Sequence, residues 1–299
     1  MMWNLLFQAP KVVEASVWSS MPDHFRILGD NDWARINKPG QLIDSFIEGP
    51  VIDSSGNLYI TDIPYGRIFK VTPDKSWELL IQYEGWPNGL AIDAHGKMWI
   101  ADHKIGLLSF DLKNKKLETI LKGPHKSKAP FLGLNDLVFD LKGNLFFTDQ
   151  GQTGLHDPIG KVYCLEPNGT LHLILNNVPS PNGLVFDDSG KFLFVSATRA
   201  NNVWRMPIFD NFSTGKVGAF QTFFGASGPD GLAMDSSDNL YVAHASLGGV
   251  FQLNKRGEVL TYIKSPIGHT VTNLCLAPSQ KLAYITESST GNLLTASIA

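Results

Sequence analysis

The sequence predicts an all-β fold, a six-bladed β-propeller with four-stranded blades whose ring is closed by an N-terminal strand. Three observations carry this: a unit repeated six times, a period close to one blade, and β-type local signals inside each copy. The copies begin Glu48-Gly-Pro-Val-Ile-Asp53, Asn88-Gly-Leu-Ala-Ile-Asp93, Asn135-Asp-Leu-Val-Phe-Asp140, Asn182-Gly-Leu-Val-Phe-Asp187, Asp230-Gly-Leu-Ala-Met-Asp235 and a degenerate Asn273-Leu-Cys-Leu-Ala-Pro278. Their anchors at 53, 93, 140, 187, 235 and 278 are separated by 40, 47, 47, 48 and 43 residues; a four-stranded blade takes about 40–50. Residues 1–299 are expected to form one domain, with repeats from 48 and residues 1–47 as the segment that closes the last blade.

Within each unit the order is strand, tight turn, strand, then two more strands. Ser54-Ser55-Gly56-Asn57, Ala94-His95-Gly96-Lys97 and Leu141-Lys142-Gly143-Asn144 are turns with a glycine free to take positive φ. Short runs rich in Leu, Ile, Val, Phe and Tyr follow, such as Leu58–Asp62 and Leu145–Asp149. Third strands read at Arg67–Val71, Lys161–Leu165 and Val250–Leu253, and fourth strands at Trp77–Ile81 and Leu171–Leu175. No stretch of ten or more residues carries a helical period. A two-sheet sandwich is the alternative, and regular six-fold repetition of hairpins argues against it.

The last unit has room for three strands only, near 272–277, 281–286 and 292–298. A ring left open there would expose an unpaired strand edge. The β-branched segment Lys11–Trp18 is the expected donor of the missing strand, with Leu42–Ile47 a weaker candidate.

Composition narrows the function. With 43% hydrophobic residues, 18% charged residues and a net charge of −3, the chain carries no basic field for a nucleic acid. No apolar run reaches the roughly 18–20 residues of a membrane span. The apolar patch Trp3–Phe7 lacks a basic flank and a cleavage motif, which argues against a secretory signal. Cys164 and Cys275 read as two free thiols in strands. The expected setting is cytoplasmic, as a monomer or weak oligomer with a small-molecule partner, no nucleic acid and no membrane.

Repetition also places the chemistry. Five residues before each anchor stand Glu48, Asn88, Asn135, Asn182, Asp230 and Asn273, a polar ring at one mouth of the channel. Nine residues after each anchor stand Asp62, Asp102, Asp149, Ser196, His244 and Glu287, which simple hairpin register sets opposite the first ring. Oxygen donors without His or Cys in the first ring suit a hard cation, calcium before manganese or magnesium. The competing reading is that polar residues merely cap strand starts. His156 in Gly154-Leu-His-Asp-Pro158 and Arg199 in Thr198-Arg-Ala-Asn-Asn202 sit on loops leaving the same mouth. With Asn88, Asp102 and Asp149 they are candidates for substrate contact.

Glu48-Gly-Pro, Asn135-Asp, Ser180-Pro-Asn-Gly183 and Gly228-Pro-Asp-Gly231, each opening a blade, resemble the gluconolactonase/regucalcin (senescence marker protein) family from about Glu48 onward. The resemblance implies a metal-dependent lactonase acting on a sugar-acid or related lactone, through a metal-polarised carbonyl and Asp-activated water. Glu48, Asn182 and Asp230 would be metal ligands, with Asn135 beside them as ligand or positioning group and Asp230 also the catalytic base. Calcium is the expected ion, with manganese, magnesium, zinc or iron as alternatives. Two alternative functions are a phosphotriesterase-like hydrolase and a non-enzymatic metal-binding propeller.

Overall fold

In the computed structural model, which describes residues 9–123 and 129–298, the repeats fold into six antiparallel sheets. The Trp3–Phe7 patch lies outside the described residues. Blade one comprises Ile47–Ile52, Leu58–Asp62, Arg67–Val71 and Trp77–Gln82, and blade two Pro87–Ile92, Met98–Asp102, Gly106–Asp111 and Lys116–Leu121. Blade three comprises Leu134–Phe139, Leu145–Asp149, Gly160–Leu165 and Leu171–Val178, and blade four Pro181–Phe186, Phe192–Ala197, Asn202–Pro207 and Gly218–Thr222. Blade five comprises Pro229–Met234, Leu240–His244, Gly249–Leu253 and Val259–Lys264. Blade six has Val271–Leu276, Leu282–Glu287 and Asn292–Ser297, with Ser16–Ser20 as its outer strand. The six first strands touch one another in a closed cycle around the channel, the sixth meeting the first.

Closure uses the N-terminal segment differently from the single strand expected. Ser16–Ser20 pairs antiparallel with Asn292–Ser297 and closes blade six, while Lys11–Glu14 adds parallel to Val259–Lys264 as a fifth strand of blade five. Ala15, buried and small, marks the crossing from one blade to the next. The weaker candidate has no such role: Ile47 starts the first strand of blade one.

The anchor aspartates explain why the turns repeat. Asp53 Oδ1 accepts the N–H groups of Ser55 and Asn57, both at 2.9 Å. Asp93, Asp140 and Asp235 do the same two and four residues on. Each is an Asx-type turn that fixes the hairpin joining the first two strands.

The core lies between blades rather than within one. Six buried clusters occupy the six blade–blade interfaces. Between blades three and four, for example, Phe146, Val162 and Cys164 meet Leu184, Phe186 and Val195, and the Phe146 and Phe186 rings cross edge to face at 4.9 Å. A second strand is therefore packed on both faces, and all five residues of Leu58–Asp62 are buried. Both cysteines are free, as the sequence suggests.

Candidate active site in the channel mouth

Every first strand carries one irregularity, and it decides which side chains reach the channel. In blade one the register runs Ile52↔Leu58 and Val51↔Tyr59, then shifts to Glu48↔Thr61 and Ile47↔Asp62. The extra residue is a β-bulge, which re-aims the strand end. The same shift sets Pro87 opposite Asp102, Leu134 opposite Asp149 and Pro229 opposite His244. In these four blades the two polar rings are thus one residue out of register, and a slip of one residue moves a side chain to the other face.

Glu48, Asn88, Asn135, Asn182 and Asp230 accordingly line one cavity of about 680 Å³ at the mouth, joined by His156 and Arg199 from the loops. Glu48, Asn135, Asn182 and Asp230 are buried. Asp102 and Asp149, the remaining candidates for substrate contact, do not line that cavity. Asp102 Oδ1 accepts the N–H groups of Lys104 and Ile105 at 2.8 and 2.7 Å, and its Oδ2 accepts the Tyr83 hydroxyl at 2.9 Å. Asp149 accepts the Gly133 N–H at 2.9 Å. Asp149 braces the chain entering its first strand, and Asp102 ties the turn that leaves its second strand to Tyr83 ahead of the first; the bulge in the first strand sets both out of register with the channel ring.

Blade six departs from the expected ring as well. Thr272, not Asn273, faces the mouth. Asn273 lies one level lower, where its Nδ2 donates to Glu48 Oε2 at 3.0 Å and hydrogen-bonds Asp136. At this lower level the inner strands crowd together. A Cβ on Gly89 would stand 2.4 Å from Asp136 Oδ1, and one on Gly231 would stand 2.1 Å from Asn273 Oδ1. The channel here holds side chains from blades three and six over glycines from blades two and five. Comparing the residue after the ring across the first five blades (Gly49, Gly89, Asp136, Gly183, Gly231) marks Asp136 as the exception among them in the sequence itself.

The backbone of the ring is fixed from the neighbouring blade. Thr61 Oγ1 donates to Asn88 O at 2.8 Å, and Thr148 Oγ1 donates to Asn182 O at 2.9 Å. The side chains are held too. Asn135 Nδ2 donates to Gln150 Oε1 at 2.9 Å, Glu48 Oε2 accepts the Gly49 N–H at 2.7 Å, and Asn182 hydrogen-bonds Asp230.

This arrangement gathers carboxyl groups that are largely withdrawn from solvent. Burial raises the pKa of Glu48, and its hydrogen bonds only partly oppose that. Asp230 is pushed well above the ordinary carboxylate range by burial first and then by the charges of Glu48 and Asp136, with Lys38 opposing. Asp136 is raised to about 7 by desolvation, with the Glu48 charge adding to it. Buried carboxylates without a counter-charge are strongly unfavourable, and a cation among them removes that penalty. The described residues contain no cluster of three or more His, Cys, Asp or Glu suited to a metal. The donors here are instead two carboxylates and amide oxygens, a hard-cation set that fits calcium better than zinc.

A helix of six residues, Asp32–Asn37, sits over this mouth. Asn31 caps it by accepting the Ala34 N–H at 2.8 Å, and Trp33 packs on Phe46 and Ile63. Trp33, Asn37 and Lys38 line the cavity. Too short for a readable period, the helix leaves no signal in the apolar pattern. Among the described residues, no helix is long and apolar enough to cross a membrane.

Comparison with known proteins matches residues 46–289 to the family model described as the SMP-30/gluconolactonase/LRE-like region. Lactonase drp35 of Staphylococcus aureus (strain USA300) is 30% identical over 247 residues, covering 78% of this chain and 73% of that protein. Its counterpart in Staphylococcus epidermidis is 31% identical over the same shares. Among solved structures, a gluconolactonase from Xanthomonas campestris superposes with a TM-score of 0.75 at 20% identity, covering 96% of this chain and 98% of that one. A calcium-binding regucalcin from Agrobacterium tumefaciens gives 0.76 at 18% identity, covering 96% and 95%. These two likenesses establish the six-bladed fold.

Proposed function

The chain belongs to the SMP-30/gluconolactonase/LRE-like family, and from that premise we propose that it is a hydrolase opening lactones with the help of one divalent cation, calcium first. The observation that carries this reading is the pairing of Glu48 and Asp230 with Asn135 and Asn182 around one buried cavity. Kinship with proteins named lactonase and gluconolactonase supports the substrate class.

Glu48, Asn182 and Asp230 would hold the ion, with Asn135 beside them. When bound, such an ion supplies Lewis acidity toward a carbonyl oxygen. The chain's own groups do the rest. Asp230 takes the proton from a water molecule whose oxygen bonds to the carbonyl carbon. The ring carbon–oxygen bond then breaks, and Asp230 returns the proton to the departing alkoxide oxygen, giving a hydroxy acid. Asn182 holds the Asp230 carboxylate in place. Glu48 is oriented from below by Asn273 and from behind by the Gly49 N–H. We place the enzyme in the cytoplasm, as a monomer or weak oligomer.

The test is a chelated sample, restored with calcium, manganese, magnesium or zinc, and assayed by acid release on a panel of sugar-acid, aliphatic and aromatic lactones with one organophosphate beside them. The expected result is calcium-restored opening of at least one lactone. Metal-restored turnover of the organophosphate alone would make the protein a phosphotriesterase, and no turnover with any metal would leave a binding propeller.

A further inference from the structure

We infer that Lys38 and Arg199 form an anion-binding rim, so that the lactone opened on the channel floor carries a carboxylate outside its ring. The inference rests on the lactonase reading above and specifies its substrate.

The first observation is where Lys38 comes from. It follows the helix Asp32–Asn37, in a segment that precedes the residues matched by the family model. That segment is built into the mouth: the Trp33 and Phe46 rings lie 4.7 Å apart, and Gln152 Nε2 from blade three reaches Asn37 Oδ1 at 3.5 Å. Lys38 Nζ is held 5.0 Å from the Phe46 ring centroid, a cation–π contact that leaves its charge facing the cavity.

The second observation is Arg199, on the turn Thr198–Ala200 that leaves blade four. It lines the same cavity beside the blade-three loop, where its Cγ would stand 3.6 Å from a Cβ on Gly154. Among the described residues neither Lys38 nor Arg199 has a carboxylate within ion-pairing distance. The two cations feel each other. Burial lowers the pKa of Lys38 first, the pull of Asp230 opposes that, and repulsion from Arg199 lowers it again.

Two unpaired cations facing one cavity, one a point charge and one a planar fork, suit a carboxylate. The hydroxy acid's own new carboxylate does not fill this role. It exists only after the ring opens, so it cannot pair Lys38 and Arg199 while the lactone binds. The substrate must therefore bring a second acidic group, one that exists before the ring opens.

The experiment compares 5-oxotetrahydrofuran-2-carboxylate with its uncharged carboxamide, two lactones of the same ring and nearly the same shape, using the calcium-loaded full chain. The quantity read is the ratio of kcat/KM for the carboxylate to that for the carboxamide. Wild type is expected to prefer the carboxylate. Lys38→Met and Arg199→Gln should each lower the ratio about tenfold, the equivalent of one charge-assisted contact of about 1.4 kcal/mol. Lys38→Arg, which keeps the charge, should retain it. A wild-type ratio at or below one, or a ratio that neither substitution moves, overturns the inference while the lactonase reading stands. If neither lactone is opened, both are titrated calorimetrically into the same protein. Carboxylate binding weakened by Lys38→Met keeps the rim although the lactonase reading is in trouble, and binding indifferent to that change removes the rim too.

Discussion

Two polar rings stand at the same end of the molecule, and they differ in what their oxygens are used for. In the channel ring, Glu48, Asn135, Asn182 and Asp230 keep oxygens directed to a cavity. In the strand-end ring, Asp62, Asp102, Asp149 and Glu287 are committed to the protein. Asp62 accepts the Phe46 N–H at 2.7 Å and pairs with Arg67, whose Nε donates at 2.8 Å, both partners being buried. Glu287 accepts the N–H groups of Thr270 and Thr290, each at 2.9 Å. Polarity and repetition mark both rings equally. Among the acids of the two rings, what separates the proposed ligand groups from the braces is whether the hydrogen-bonding capacity is already committed to the protein.

The sharpest way to test that division is to change one acid in each ring. Asp230→Asn keeps an oxygen but removes the charge and the proton acceptor. It is expected to fold, as judged by circular dichroism, and to bind calcium more weakly. At saturating calcium it should lose about 10²–10⁴-fold in turnover, the usual contribution of a positioned base. Near-normal turnover would move the base to another group. Asp62→Ala should do the reverse. It strands the Arg67 guanidinium, which is 2% exposed, and breaking one partner of a buried pair costs about 3–5 kcal/mol. The expected readout is a lower urea midpoint, with lactone turnover per folded molecule kept. A loss of turnover without loss of stability would place Asp62 in the chemistry after all.

How much of this was legible beforehand follows from the same contrast. The blades were readable because each is a complete local unit: an anchor aspartate, a tight turn and an apolar second strand declare themselves within fifteen residues. The channel ring was readable for the same reason, through comparison of Glu48, Asn88, Asn135, Asn182 and Asp230 at one offset. The strand-end ring was misplaced because its position depends on a single bulged residue between Glu48 and Val51 and its equivalents, and bulges leave no mark in an alternating pattern. Asn273 stands in for Thr272 at the repeat's offset because the degenerate sixth copy has no anchor aspartate: Ala277, not Pro278, takes the anchor's place in the turn. Lys38 carries no signal in the repeat, because it belongs to no copy of it and reaches the mouth through the packing of Trp33.

Asp149 offers the finest test, one that separates a brace from a ligand by its response to pH. Burial pushes its pKa up to about 6, against the opposing Gly133 N–H and the Lys161 charge. The folded protein therefore holds this proton more tightly than the unfolded chain, where a carboxyl titrates near 3.9. The resulting stability is fully present below the unfolded value and is lost as pH rises through about 6, so above that the buried carboxylate is a standing penalty. Asp149→Asn removes the titration and keeps an oxygen for the Gly133 N–H. Relative to this variant, wild type should become less stable between pH 4 and pH 7, by on the order of 2 kcal/mol, and the difference should level off above. Urea midpoints at unit pH steps measure it. Because Asp149 does not itself line the cavity, the same difference should persist after chelation of calcium. A pH-independent difference would mean that Asp149 ionises normally. One that appears only with calcium would join this residue to the channel ring, and the division between ligands and braces would have to be redrawn.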